Sequence, residues 1–421
     1  MKPQKLNSQK IKLIIASTIG NILELYDFTL YGTLSLIIAK NFFPKDEYGM
    51  SLLITLSVFG AGFLMRPLGA IFFGYLGDHI GRKKTLAFSI ILMAISTFLI
   101  GIIPPYSIVG IFAPITLVCC RLMQGLSMGA EFSGSSIFLI EHFNFRRKGF
   151  AGSLILASAV IGALLATCAG FLSIQEGMPH WAWRIPFLIG GISAIAGFYI
   201  RTHLKESPEF QKILNLHQKQ KFPLKIALKN YAPGCLCAIG ISAYGGAIAY
   251  LLAAFMNVYL SSILNLKIQQ SLLLTSMGLL CNGLAGVLSG YLADRYGVRK
   301  IMLGASMFCI ILAIPAFNLM QTNCIINIFL AVCFLGFFSG SFCGPQLTLI
   351  SSLFPTNIRY SAASFCYCIG LMTVGGTFPL IATFLIQKTN SLLSPAFYII
   401  VCAILGFFSV IISKRYQISE T

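Results

Sequence analysis

The chain has 421 residues, of which 57% are hydrophobic and only 10% are charged. In soluble globular proteins about a quarter of the residues are charged, so this composition excludes a soluble globular protein. A net charge of +18 is high enough to suggest nucleic-acid binding, and the distribution of the charges decides whether that class applies.

Twelve apolar segments follow one another along the chain. A hydrocarbon core about 30 Å thick takes roughly 20 apolar residues per helix. The segments are too long and too uniformly apolar for the alternating strands of a membrane barrel. The first segment is too long for a signal peptide and contains acidic residues, so we predict that it is retained as a helix. The predicted helices span residues 12–39, 51–77, 86–104, 108–140, 150–173, 184–201, 231–262, 268–293, 300–319, 323–353, 360–387 and 394–413.

One charged motif of eleven residues occurs twice, as GYLGDHIGRKK at 74–84 and as GYLADRYGVRK at 290–300. The copies follow the second and the eighth predicted helix, so a unit of six helices is repeated. Such a repeat is typical of transporters whose two halves rock about a central site. We therefore predict an all-α membrane protein with twelve transmembrane helices in two pseudo-symmetric six-helix bundles. The bundles are residues 1–201 and 231–421, joined by a cytoplasmic linker at 202–230.

The basic residues lie mainly on one side of the predicted helices. With the N-terminus inside, 23 Lys and Arg residues fall in inner segments and five in outer segments, and the other two lie within helices. An excess of Lys and Arg on one side marks the cytoplasmic face, so both termini are predicted to be cytoplasmic. The positive charge is thus explained by topology and by anionic lipid headgroups, and no nucleic-acid partner is predicted.

In each copy of the motif an aspartate ends a helix, a glycine permits a tight turn, and an arginine lies close by. Such a cluster can bond to neighbouring helix ends and release them when that side of the membrane opens. The alternative is a plain hairpin whose charges only fix topology. Val298 replaces the arginine of the first copy, so the second gate is predicted to be the weaker one. The predicted gating residues are Asp78, Gly81, Arg82, Asp294, Arg295 and Gly297.

Several stretches resemble a known family. The motif G-x-L-x-D-x-x-G-R-K resembles the loop signature of the major facilitator superfamily. The stretches GNILELYDFTLYG (20–32), RPLGAIFFGYLGDHIGRKK (66–84), RLMQGLSMGAEFSG (121–134) and LFPTNIRYSAAS (353–364) resemble its metabolite:proton symporter family. EHFNFRRKGF and RTHLKESPEF look most like the proline/betaine branch. This resemblance implies the major facilitator fold and proton-coupled import of a small metabolite by alternating access.

Charged side chains within hydrocarbon are costly and mark ion or substrate paths. Glu24 and Asp27 are three residues apart, hence on one helix face. Two close carboxylates in a medium of low dielectric constant do not both stay ionised, so one can be held by an arginine while the other takes up and releases a proton. A static ion-paired network is the alternative. We predict Glu24, Asp27 and Glu131 as the proton-coupling candidates.

The substrate-binding candidates are arginines and aromatic residues. Arginine can bind a carboxylate bidentately, and aromatic faces can hold a quaternary ammonium. A dicarboxylate needs two cationic sites. With two arginines inside helices and no lysine in helices seven to twelve, a zwitterion or a monocarboxylate fits better. The resemblance favours a proline/betaine-like zwitterion. An organic-acid symporter and a proton antiporter that exports a metabolite remain as alternatives. The predicted substrate-binding residues are Arg121, Arg66, Tyr31, Tyr26 and Gln124.

No enzyme class is indicated. The sequence contains neither G-x-x-x-x-G-K-[ST] nor H-E-x-x-H, which excludes a P-loop ATPase and a zinc helix of that type. The thirteen cysteines lie almost wholly in apolar segments and are interpreted as small hydrophobic residues. We predict a multi-pass protein of the inner cell membrane that works as a monomer. It needs no cofactor or metal, uses the proton as coupling ion, and has a small-molecule substrate and the lipid bilayer as partners.

Overall fold

The computed structural model describes residues 8–43, 48–143, 147–215, 220–322 and 324–418, and within these ranges the chain forms helices and no strand. Eleven of the described helices are long and apolar enough to cross a membrane, and the 32-residue helix α2 is the twelfth long helix. This confirms the predicted fold class. The helices are α1 Ser8–Thr33, α2 Tyr48–His79, α3 Arg82–Ile102, α4 Phe112–His142, α5 Lys148–Ser173, α6 Ile185–Thr202, α7 Ala232–Ile263, α8 Ile268–Tyr296, α9 Val298–Met320, α10 Ile325–Ser351, α11 Arg359–Thr389 and α12 Ser394–Ile412.

The helices differ from the prediction mainly in local irregularities. The first predicted segment is divided at Leu34, after which a short helix spans Ser35–Phe42. The other predicted segments agree with the observed helices to within about one helical turn. Helix α7 contains π-helical turns at Leu251–Phe255 and Tyr259–Ile263, and α11 contains one at Leu371–Gly375. Such turns are rare and are frequent at functional sites.

The two halves of the chain, α1–α6 and α7–α12, pack their helices in corresponding ways. A Cβ on Gly125 of α4 would lie 2.1 Å from the carbonyl oxygen of Gly62 in α2. In the second half a Cβ on Gly340 of α10 would lie 2.1 Å from the carbonyl oxygen of Asn282 in α8. Glycine therefore permits the same close approach of the second and fourth helix in each half, as is common in membrane bundles.

The segment between the halves contains two short helices, Pro208–Asn215 and Pro223–Asn230. The first lies at the end of the bundle that carries both copies of the charged motif, which we call the motif end. Its apolar residues Phe210 and Ile213 are buried. The Phe210 ring lies 4.8 Å from the guanidinium carbon of Arg82, so this helix packs against the first motif.

Candidate functional site

A chain of buried polar side chains links Asp27 in α1 to Arg121 in α4. Thr97 Oγ1 in α3 donates a hydrogen bond of 2.7 Å to Asp27 Oδ2. Gln124 Nε2 donates to Thr97 Oγ1 at 2.7 Å, and Arg121 Nη1 donates to Gln124 Oε1 at 2.8 Å. Among the described residues Asp27 Oδ1 has no hydrogen-bond partner. One carboxylate oxygen is thus tied to the arginine through two neutral side chains, while the other can take a proton.

The two predicted tyrosines lie in different surroundings. The Tyr31 ring centroid is 4.2 Å from the guanidinium carbon of Arg121, a cation–π contact. Tyr26 instead donates its hydroxyl hydrogen to the carbonyl oxygen of Pro186 at the start of α6, at 3.0 Å. The structure therefore brings Tyr31 to Arg121, and the hydroxyl of Tyr26 anchors α1 to α6.

Arg66 and Glu24 are both buried, with exposed fractions of 6% and 2%. The charges of Glu131, Arg66 and Arg201 all act on the Glu24 carboxyl group. Within the described part of the chain, Arg66 Nε and Glu24 Oε2 have no hydrogen-bond partner. Burying a charge without a strong partner is costly. This pair therefore has unused capacity to bind a ligand or to form an ion pair.

Glu131 is bound by Arg201 from the end of α6. Arg201 Nη1 donates to Glu131 Oε2 at 2.9 Å, and its Nη2 donates to Glu131 Oε1. The hydroxyls of Ser89 and Ser135 donate to the same carboxylate at 2.7 and 3.2 Å. Arg201 is the last residue of the sixth predicted helix, next to the basic linker, and its side chain is 2% exposed. Four donors stabilise the ionised form of this carboxylate. We therefore interpret Glu131 and Arg201 as a structural ion pair and not as a site of proton transfer.

The first motif copy holds the start of α11, which belongs to the second half. Asp78 Oδ2 accepts hydrogen bonds from Ser361 N at 2.9 Å and from Ser361 Oγ at 2.6 Å. Arg82 Nη2 lies 3.4 Å from Asp78 Oδ1 and donates to the carbonyl oxygen of Thr356 at 2.9 Å. Both Asp78 and Arg82 are buried. This copy therefore joins the two halves at the motif end.

The second copy makes the reciprocal contact. Asp294 in α8 accepts hydrogen bonds from Gly149 N at 2.7 Å and from Phe150 N at 2.8 Å, in the first turn of α5. A carboxylate is stabilising at a helix N-terminus, where amide groups lack helical partners. The predicted gating residue Arg295 is exposed, and its guanidinium carbon lies 5.5 Å from the centroid of the Tyr296 ring. The two hydrogen bonds that join Asp294 to α5 do not involve it. Each aspartate thus caps a helix of the opposite half.

Both motif glycines are required by the backbone. Gly81 and Gly297 have φ values of 107° and 98°, in the region that favours glycine. At Gly81 a side chain would also meet Glu206, since a Cβ there would lie 2.2 Å from Glu206 Oε2. The predicted tight turns are present at both positions.

Two carboxylates of the segment between the halves strengthen the first contact. Glu206 Oε1 accepts from the backbone N–H of Arg82 at 3.1 Å, and Glu206 Oε2 accepts from that of Lys83 at 3.2 Å. Glu209 Oε2 accepts from Arg359 Nη1 at 2.6 Å. Neither residue was predicted as a gating residue. The signal for them is a pair of acidic residues within an otherwise basic segment.

Removing the charge of either aspartate should affect transport unequally. We expect Asp78→Asn to lower the initial uptake rate at least tenfold, and Asp294→Asn only about threefold. Hydrogen bonds to charged groups contribute about 1.5–3 kcal/mol, and Asp78 is the more deeply buried of the two. Initial rates in cells with matched expression would measure this. Equal losses in both variants would contradict the unequal strength of the two contacts.

A family model described as Major Facilitator Superfamily matches residues 18–370 and 235–417. The chain belongs to the major facilitator superfamily. It is 35% identical over 417 residues to the proline/betaine transporter of Escherichia coli K12. The aligned region covers 96% of this chain and 83% of the relative. It is 34% identical over 418 residues, with the same coverages, to the glycine betaine/proline/ectoine/pipecolic acid transporter OusA of Dickeya dadantii. These relatives confirm the predicted resemblance and the predicted class, a transporter and not an enzyme.

Solved structures agree with this membership at the level of the fold. The structure of the proton:xylose symporter XylE bound to 6-bromo-6-deoxy-D-glucose superposes with a TM-score of 0.75. The match covers 97% of this chain and 96% of that chain, at 17% sequence identity. The predicted major facilitator fold is thereby confirmed. The superfamily membership and the apolar helices make this a multi-pass membrane protein.

Proposed function

We propose that this major facilitator superfamily protein imports a small zwitterion of the proline/betaine type together with protons. The names of its relatives support the substrate class. The observation that carries the proton coupling is the bonding of Asp27, with one oxygen tied to Arg121 through Thr97 and Gln124 and the other without a partner among the described residues. Glu24 is the second candidate for the proton.

The coupling follows from charge balance. Ionised Asp27 attracts Arg121 through the two intervening side chains, which are polarised in one direction. A proton on Oδ1 removes that charge and so weakens the negative potential at Arg121 in a medium of low dielectric constant. Arg121 then binds the carboxylate of the substrate more tightly, because charge-assisted hydrogen bonds are strong where water is excluded. Protonation and substrate binding thus favour each other.

Movement of the two bundles, 1–201 and 231–421, about the linker 202–230 would carry proton and substrate across. The contacts of Asp78 and Asp294 hold the motif end closed and release when that end opens. The excess of Lys and Arg at this end supports a cytoplasmic orientation, with both termini inside and the protein in the inner cell membrane. We further propose a monomer in the bilayer that requires the proton and no other cofactor.

A zwitterion is favoured over a di- or tricarboxylate by the surroundings of the second arginine. Arg66 lies over the rings of Phe28 and Phe63, at 4.8 and 4.5 Å, and donates to the Tyr250 hydroxyl at 3.3 Å. A second carboxylate at Arg66 would also meet the buried carboxyl group of Glu24, whose charge interacts with that of Arg66. Desolvating a further negative charge beside it would be costly.

Transport by purified protein in liposomes tests the substrate class. With the outside made acidic, we expect labelled glycine betaine and proline to accumulate, and citrate and oxoglutarate to stay at the level of empty liposomes. Unlabelled zwitterions should compete with the label, and unlabelled dicarboxylates should not. Accumulation of a dicarboxylate would favour the organic-acid alternative. Expulsion of preloaded substrate against the imposed gradient would favour the exporter.

A further inference from the structure

The guanidinium of Arg66 lies over the rings of Phe28 and Phe63 and donates a hydrogen bond to the hydroxyl of Tyr250. Resting on the proposed function, we propose that these rings, Phe28, Phe63 and Tyr250, form the binding site for a quaternary ammonium group of the substrate. Arg66 occupies this site in the present conformation. On substrate binding it leaves the rings and pairs with Glu24.

The three rings, which we call the aromatic box, come from both halves of the protein. Phe28 and Phe63 lie in α1 and α2, with ring centroids 5.0 Å apart and planes at 86°. Tyr250 lies in α7, and its ring centroid is 5.3 Å from that of Phe63. A ligand held by the aromatic box would therefore touch both halves at once. Such contact is needed if ligand binding is to be coupled to the relative movement of the halves.

The contacts of Arg66 indicate that the aromatic box holds a cation. Its guanidinium lies over two ring faces, its Nη1 donates to the Tyr250 hydroxyl, and its Nη2 donates to Met128 Sδ at 3.5 Å. In the described chain no carboxylate forms an ion pair with it, and its Nε is unbonded. Aromatic faces attract cations most strongly where water is excluded. The side chain is thus held by weak partners that another cation could take over.

Glu24 offers the displaced arginine a stronger partner. Glu24 is 2% exposed, its Oε2 has no hydrogen-bond partner among the described residues, and Arg66 is, after Glu131, the second of the charges that act on it. A buried Arg–carboxylate pair forms charge-assisted hydrogen bonds, which are about twice as strong as neutral ones. Exchange of Arg66 for a substrate cation therefore leaves the number of charges in the aromatic box unchanged and adds one ion pair.

The opposite end of the substrate has a partner within reach. The Phe28 ring lies between the two arginines, 4.8 Å from the guanidinium carbon of Arg66 and 5.2 Å from that of Arg121. A short zwitterion whose ammonium group lies on the Phe28 ring would thus have its carboxylate directed to Arg121. Tyr250 directly precedes the π-helical turn Leu251–Phe255, so the ring of the second half is carried by an irregular part of α7.

The substitution that tests the aromatic box is Phe63→Leu, with uptake of glycine betaine and of proline measured in parallel. We expect the half-saturating concentration of glycine betaine to rise roughly tenfold, since a buried cation–π contact is lost. The value for proline, which carries no quaternary ammonium, should change less than about threefold. Phe63→Tyr, which keeps a ring face, should behave like the wild type. The matched control is Phe73→Leu, a buried ring of the same helix outside the aromatic box.

Equal losses for both substrates in Phe63→Leu, or no loss for either, would overturn the assignment. If that variant is not obtained folded, Tyr250→Leu makes the same comparison from the second half, with the same expected and contradicting results. Binding of tetramethylammonium to purified protein, measured by calorimetry, separates the aromatic box from the transport function. Binding that Phe63→Leu weakens about tenfold supports the aromatic box even if no zwitterion is transported. Absence of such binding to the wild type contradicts it, even if proline is taken up.

Discussion

Asp27→Asn should abolish accumulation of substrate against a gradient while leaving exchange intact. An amide keeps the hydrogen bond from Thr97 Oγ1 to this position but can neither bind nor release a proton. For one proton per substrate, an imposed difference of about two pH units can support roughly a hundredfold accumulation, because each unit corresponds to ~1.4 kcal/mol. In the variant we expect the inside and outside concentrations to become equal.

The measurement is uptake into liposomes with an imposed pH difference, followed by counterflow without one. Counterflow requires both halves to move with substrate bound and requires no net proton movement, so the variant should retain it. Glu24→Gln is the matched control, since it removes the neighbouring carboxylate of the same helix. Thr97→Val breaks the link from Asp27 to Gln124 and should weaken the pH dependence without abolishing it. If Asp27→Asn accumulates substrate fully and Glu24→Gln does not, then Glu24 and not Asp27 carries the coupling proton.

The second large effect concerns stability. Arg201→Met should lower the free energy of unfolding by about 3–5 kcal/mol, because it leaves the Glu131 carboxylate buried without its charged partner. The double variant Glu131→Leu with Arg201→Met should recover most of this loss, since a buried ion pair contributes little over apolar groups of similar volume. Thermal unfolding of the purified protein in one detergent would compare the three.

The same variants decide between a structural and a proton-coupling role for Glu131. We expect Glu131→Gln to reduce the amount of folded protein and to leave the pH dependence of uptake by the folded fraction unchanged. Loss of that pH dependence in a variant with normal thermal stability would show that Glu131 takes part in proton transfer, which its four donors argue against.

Much of the fold followed from the sequence because the bilayer allows few solutions. Apolar segments of helix length predicted the spanning helices after the first to within about a turn, and the duplicated motif at 74–84 and 290–300 indicated two halves. The positions of Asp27 and Arg121 also followed, since charge inside hydrocarbon is too costly to occur without a reason. That Asp78 and Asp294 each cap a helix of the opposite half was beyond the sequence, which indicated only that the motif lies at a gate.

The sequence could not predict which neutral side chains connect the buried charged ones. Thr97 and Gln124 connect Asp27 to Arg121, but serine, threonine and glutamine are too common in these helices to be singled out. Arg201 ends an apolar segment beside the basic linker, and only packing shows that its side chain turns back into the bundle. Likewise, only the three-dimensional structure shows that Arg66 lies in the aromatic box while Arg121 is linked to Asp27.

The central claim is that substrate and proton cross together, and the most direct measurement is proton entry on addition of substrate. Liposomes containing the protein and a pH-sensitive dye start with equal pH on both sides, and glycine betaine is added outside. We predict acidification of the interior that requires substrate, is absent in Asp27→Asn and disappears with an uncoupler present. Entry of glycine betaine without acidification, or accumulation undiminished after the uncoupler removes the proton gradient, would contradict the account.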